Sequence, residues 1–147
     1  MGWNEDAERA ARMSSTIVKR YSPHFRSTEF KCKGRGCCGN KAYIDPRLIE
    51  VLEKVRAEAS REAGKDVPIR INSGYRCQAH NASIGGANQS QHVLGTAADI
   101  SCDTKLISIE KLGQICDRII REYRGGMKRY PNFVHVDVCD NPPNRRW

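Results

Sequence analysis

Apolar positions recur along the chain with two periods, and these divide it into helical and extended segments. In residues 4–21, Ala7, Ala10, Ile17, Val18 and Tyr21 share one broad face while Glu5, Glu8, Arg9 and Arg12 lie mainly elsewhere, which predicts an amphipathic helix ending before Pro23. A second helix is marked more sharply. Asp45 is a good N-cap, Pro46 suits the first helical position, Leu48, Leu52, Val55 and Ala59 recur at helical spacing, and Gly64 closes the pattern. Residues 67–72 alternate Val67, Ile69 and Ile71 on one face and read as a strand. A stretch rich in Gly, Ser and Asn follows, from Ser73 to Gly95, and loops of that length without their own structure are usually functional. Residues 96–101 read as a short strand. Residues 108–123 read as a helix with Ile109, Leu112, Cys116, Ile119 and Tyr123 inward, broken by Gly125 and Gly126. In a last strand, residues 132–139, period two sets Val134, Val136 and Val138 on one face and Phe133, His135 and Asp137 on the other.

These elements add up to a single α+β domain, with a small antiparallel sheet and flanking helices. The expected division is an N-terminal helix, residues 1–21, packed on a domain of residues 22–147. A chain of 147 residues with 39% hydrophobic and 29% charged residues is ordinary globular usage and can bury one core. No stretch approaches the roughly 18 consecutive apolar residues of a membrane span, and the first twenty residues hold no apolar run of signal-peptide type. The expectation is a protein made in the cytoplasm, with no membrane insertion, that leaves the cell by some route other than a signal peptide if it works outside.

Charge sharpens the picture in two places. The net +8 is concentrated in residues 31–41, where Lys31, Lys33, Arg35 and Lys41 meet no acid, and in residues 117–147, with seven basic against four acidic side chains. Such a field attracts polyanions, either nucleic acid or an anionic cell-wall polymer, and it also serves solubility. The seven cysteines are an odd number, so at least one thiol is unpaired in a monomer. Cys102 and Cys116 read as small core residues. Cys32, Cys37 and Cys38, in KCKGRGCCGN, could help hold a structural zinc, but no second ligand pair lies nearby, so a loop or disulfide is the expectation.

The valine face of the last strand is what a core needs, which leaves an imidazole and a carboxylate side by side on the other face. Asp99 lies on an apolar strand beside Ala97, Ala98 and Ile100, where an unpaired carboxylate would cost several kcal/mol unless it meets a cation. His92 stands seven residues earlier, about 23 Å away in an extended chain, and Gly95 makes a fold-back toward Asp99 cheap. Two imidazoles and one carboxylate are the ligand count of a catalytic zinc site with an open fourth position. Taken singly, each of these residues also fits a buried, hydrogen-bonded side chain or a surface histidine.

Ser90-Gln91-His92 followed by Gly95, Ala97 and Asp99 resembles the SxHxxGxAxD motif of the M15 zinc peptidases, which include D-alanyl-D-alanine carboxypeptidases, D-Ala-D-Ala dipeptidases and phage endolysins. Ser73-Gly74-Tyr75-Arg76 resembles the family's SGYR motif, Phe133 to Asp137 its last metal-ligand strand, and Arg146-Trp147 the terminal RW of its small carboxypeptidase-like branch. His24-Phe25, Glu29-Phe30 and Ile44-Asp45 resemble that branch's N-terminal pattern, so the likeness runs from about Ser22 to Trp147. The resemblance implies a hedgehog/DD-peptidase-like fold, with Zn2+ held by His92, Asp99 and His135. It places Arg76 on the substrate's oxyanion or carboxylate, with Ser90 and Tyr75 on the substrate side; His80 and Asn81, in the same loop as Arg76, are expected only to line the groove. Several branches carry an acid three residues before the last histidine ligand, where this chain has Asn132, so Asp137 becomes the expected general base.

The function implied is a zinc-dependent peptidoglycan peptidase, either a D,D-carboxypeptidase or an endopeptidase of endolysin type. It would cut a peptide bond in the cell-wall stem peptide or cross-link, act on the wall after release, and be phage or prophage encoded. Its partners would be peptidoglycan stem peptides and not nucleic acid, and it would be a monomer. The alternative is a non-catalytic, zinc-containing cell-wall or protein binding module of the same fold, which would require a lost ligand or base. A nucleic-acid binder built on residues 31–41 fits poorly, because that segment has no interleaved aromatic residue.

Overall fold

The computed structural model describes residues 20–86 and 90–147. The amphipathic helix expected over residues 4–21 falls outside the described residues as far as position 19. Its last residues are extended: β1 (Arg20–Ser22) pairs antiparallel with β2 (Phe25–Arg26), and a 3-10 turn, Ser27–Glu29, follows. Tyr21 therefore leans on the core from a strand, its ring 5.9 Å from that of Phe30.

The best-marked helix forms as its sequence requires. α1 (Pro46–Ala63) starts where the Asp45 carboxylate accepts from Arg47 N at 2.8 Å and stops at Gly64, whose φ of 71° is the left-handed cap conformation. Leu48, Val51, Leu52, Val55 and Ala59 are fully buried along one stripe. The long polar stretch after residue 73 holds one short helix, α2 (Gln78–Ser83), and α3 (Ile109–Arg121) is capped by Ser108, whose hydroxyl accepts from Lys111 N.

Four strands make the main sheet: β3 (Arg70–Ser73), β4 (Ala97–Ser101), β5 (Gly126–Arg129) and β6 (Val134–Asp137). They lie in the order β3-β4-β6-β5, every neighbour antiparallel. β3 starts later than the alternation of Val67, Ile69 and Ile71 suggests. Pro68 has no N–H to give to a ladder, so Val67 and Ile69 are buried ahead of the strand. Gly126, expected as a helix break, opens β5 instead. A Cβ there would lie 2.9 Å from both Asp137 Oδ2 and Arg145 Nη1, so a side chain at this position would crowd the Asp137–Arg145 ion pair.

α1 and α3 pack on each other, and α3 packs on β5 and β6. Toward the helices the sheet presents Ala98 and Ile100 from β4 and Val134 and Val136 from β6, all without exposed surface. Each fully buried Val or Ile of this kind contributes about 1.5–3 kcal/mol. Because side chains alternate across a strand, the same two strands turn Asp99, His135 and Asp137 to the other face, and the register sets Asp99 directly opposite His135. The core thereby fixes the position of the polar groups behind it.

Candidate metal centre

Three segments bring the polar groups together. β4 supplies Asp99 and β6 supplies His135. The third is the turn before β4, which carries His92 and ends at Gly95. The φ of Gly95 is 73°, and a Cβ there would overlap the Tyr43 carbonyl, so both the turn and the close approach require glycine. The fold-back brings His92 Nε2 to 3.2 Å from Asp99 Oδ1, and His135 Nδ1 lies 3.0 Å from the same oxygen. The two imidazole rings meet edge-on, 5.3 Å apart. All three residues are buried, between 4% and 8% exposed.

The outer nitrogen of each ring is occupied. His92 Nδ1 is 2.8 Å from the Gly74 carbonyl, which can only accept, so this nitrogen carries the proton and Nε2 turns a lone pair inward. His135 Nε2 donates to Asp137 Oδ2 at 2.9 Å, which leaves Nδ1 unprotonated toward Asp99. Two nitrogen lone pairs and a carboxylate oxygen thus face one point, an arrangement that calls for a cation. Burial alone would raise the Asp99 carboxyl, but the His135 and His92 imidazoles beside it hold it well below the usual carboxylate range. Burial disfavours a charged His135, and the carboxylates of Asp137 and Asp99 outweigh it, raising that imidazole above its ordinary value.

A cavity of about 440 Å³ opens over this point. Arg76 lines it, with Nη2 3.6 Å from Asp99 Oδ2, Nε donating to Ser73 Oγ and Nη1 to Asn81 Oδ1. Ser90 and Gln91 form a second wall, and Ser90 Oγ accepts from His92 N at 3.2 Å. The third wall is aromatic: Tyr130 and Phe133 stack at 4.4 Å, and Trp147, 54% exposed, stands 5.3 Å from the His135 ring.

Two sequence expectations sit elsewhere. Asp137 has no exposed surface and does not reach the cavity. Its Oδ2 accepts from His135, its Oδ1 from Cys139 N at 3.1 Å, and Arg145 forms an ion pair with the carboxylate. With every lone-pair direction taken, this carboxylate is placed to orient His135 and not to receive a proton from a cavity water. Among the described residues lining the cavity, Asp99 is the one carboxylate. Tyr75 packs edge-on against Tyr43 at 5.1 Å, away from the cavity, and burial pushes its hydroxyl up to about 12. Arg145 and the Tyr130–Phe133 pair were not legible as site residues. Their positions depend on the segment after β6 and on the β5–β6 turn, and no local motif announces either.

A family model described as Peptidase M15 matches residues 23–137, most of the chain. Over 75 residues, 51% of this chain, the sequence is 38% identical to a zinc D-Ala-D-Ala carboxypeptidase of Streptomyces albus G, and the match spans 29% of that protein.

Proposed function

The chain belongs to the peptidase M15 family, and from that premise we propose that it is a zinc-dependent hydrolase of peptide bonds in peptidoglycan, acting on the stem peptide or cross-link as a D,D-carboxypeptidase or an endolysin-like endopeptidase. The observation that carries this reading is the convergence of His92 Nε2, His135 Nδ1 and Asp99 Oδ1 at the floor of an open cavity, each imidazole fixed by a partner on its far side. That donor set suits zinc, which takes imidazole and carboxylate ligands and keeps one position open in catalytic sites.

Bound zinc would supply Lewis-acid polarisation of the scissile carbonyl and a water acidic enough to ionise near neutral pH. The remaining roles belong to the chain. The Gly74 carbonyl and Asp137 hold the two rings in the tautomers that leave the inner nitrogens free. Arg145 keeps Asp137 ionised and fixed. Arg76, anchored by Ser73 and Asn81, presents a guanidinium to the cavity, where it pairs with a substrate carboxylate or with the oxyanion that develops at the attacked carbonyl. The stacked Tyr130–Phe133 pair and Trp147 offer an apolar wall for the substrate's aliphatic parts. The relative is a D-Ala-D-Ala carboxypeptidase, which makes the stem peptide the substrate class to try first. The net charge of +8 favours approach to an anionic wall.

The test is digestion of purified cell wall with and without a zinc chelator, the fragments read by mass spectrometry. Release of peptides with new termini, abolished by chelator and restored by zinc, is the expected result. Wall left intact at all protein concentrations, or cleavage indifferent to chelator, would overturn the reading.

A further inference from the structure

A second cluster of ligand-type side chains lies outside this cleft. Cys32, Cys37, Cys38 and Cys77 bring their four sulfurs within 4.8 Å of one another. The fourth thiol, which residues 31–41 lack, comes from Cys77, 45 residues beyond Cys32. None of the four is in a disulfide: Cys32 Sγ and Cys37 Sγ are 3.8 Å apart, and Cys37 Sγ and Cys38 Sγ 3.9 Å. With Zn–S bonds of about 2.3 Å, the edge of a tetrahedral tetrathiolate is about 3.8 Å. These separations are those of ligands around an ion, too long for a bond and close to the edge a zinc would set.

The surroundings are built for thiolates. Backbone N–H groups donate to two of the sulfurs, Cys77 N to Cys32 Sγ at 3.5 Å and His80 N to Cys77 Sγ at 3.4 Å. The loop wraps tightly to present the other two, with Gly36, Gly39 and Asn40 all at positive φ. Asn40 Nδ2 bonds the Cys32 and Gly34 carbonyls and closes the turn. A Cβ on Gly34 would lie 2.5 Å from Cys37 Sγ and 2.9 Å from His80 Cβ, so that position has to be bare. Four thiolates around a divalent ion carry a net charge of −2, and Lys31, Lys33, Arg35 and Lys41 bring four cations and no acid to the same segment.

We propose that Cys32, Cys37, Cys38 and Cys77 form a second, structural metal site that takes zinc as a tetrathiolate. All four ligands come from protein and no position is left for water, so the site holds structure and performs no hydrolysis. Its effect is to clamp the 31–41 loop to the start of α2. Cys77 caps that helix and directly follows Arg76, so the clamp also anchors the cleft's guanidinium. Closing a loop this long by a metal adds stability that the metal-free chain lacks.

The test is a metal count on the full chain purified under reducing conditions, by elemental analysis and native mass spectrometry. Two zinc ions per chain are expected. Cys37→Ser combined with Cys38→Ser should retain one, and His92→Ala combined with His135→Ala should retain the other. A second measurement on the unmutated chain guards against a cysteine variant that does not fold. A mercurial thiol reagent should release one zinc as four thiols are consumed, and cobalt substitution should give a near-ultraviolet thiolate-to-cobalt band that survives the double histidine change. Zinc content unchanged by the double cysteine change, no thiolate-to-cobalt band, or an intact mass reduced by disulfide formation would overturn the proposal, and iron in place of zinc would overturn its choice of metal.

Discussion

The histidine–carboxylate centre and the thiol cluster are both groups of ligands, but the fold supports them in opposite ways. Asp99 and His135 stand on adjacent central strands whose other faces lie in the hydrophobic core, and the imidazoles are oriented by the Gly74 carbonyl and by Asp137. The thiols stand on loops, held by turns with positive φ and by two weak N–H···S contacts. The first arrangement is expected to survive loss of its ion, and the second to loosen without one. Catalysis needs geometry fixed before substrate arrives, whereas a structural metal does its work by creating geometry.

The sharpest way to break the comparison is to remove the catalytic ligands. His92→Ala with His135→Ala should abolish zinc at the sheet centre and cut hydrolysis by about a thousandfold or more, since several kcal/mol of transition-state stabilisation goes with it. Circular dichroism should show the fold retained, because the core behind β4 and β6 is untouched. Loss of the fold would mean that the sheet centre, too, depends on its ion.

Arg76→Ala comes next. Turnover on cell-wall peptide should fall about a hundredfold, the usual loss for an oxyanion donor, with the melting temperature nearly unchanged. Unaltered turnover would remove Arg76 from the chemistry. A smaller effect is expected for Asp137→Asn. If this carboxylate orients His135, zinc affinity at the sheet centre should fall about 10–100-fold in a buffered zinc titration, and excess zinc should restore activity. Unchanged affinity with activity lost beyond rescue would return Asp137 to the role of general base. The mildest prediction concerns the rim: Trp147→Ala should raise KM by about tenfold or less while leaving kcat and metal content alone, because it offers apolar wall and no ligand.

Much of this was legible in the chain itself, for physical reasons that differ by element. Asp45, Pro46 and Gly64 delimit α1 because caps are local chemistry. The alternation in β6 separates valines from His135 because a strand has period two. Gly95 announces the turn that returns His92 to Asp99 because its backbone conformation suits no other residue as well. What escaped depends on distant partners. Cys77 joins Cys32 only through tertiary folding. Strand β5 hides in a segment with two glycines and little alternation, since its Gly126 answers to Asp137 and Arg145. Asp137 has the right face for a base, and only the return of Arg145 shows that its carboxylate is sealed behind His135.

That return has a practical side for anyone engineering the chain. Residues 139–147 look from their polarity like a dispensable tail, yet Arg145 neutralises Asp137 and Arg146 ties the segment to Asp117 on α3. A version trimmed at Asp140 for crystallisation would leave a carboxylate buried without its counter-ion, a defect that typically costs about 3–5 kcal/mol. This stretch is therefore part of the foundation on which β6 rests.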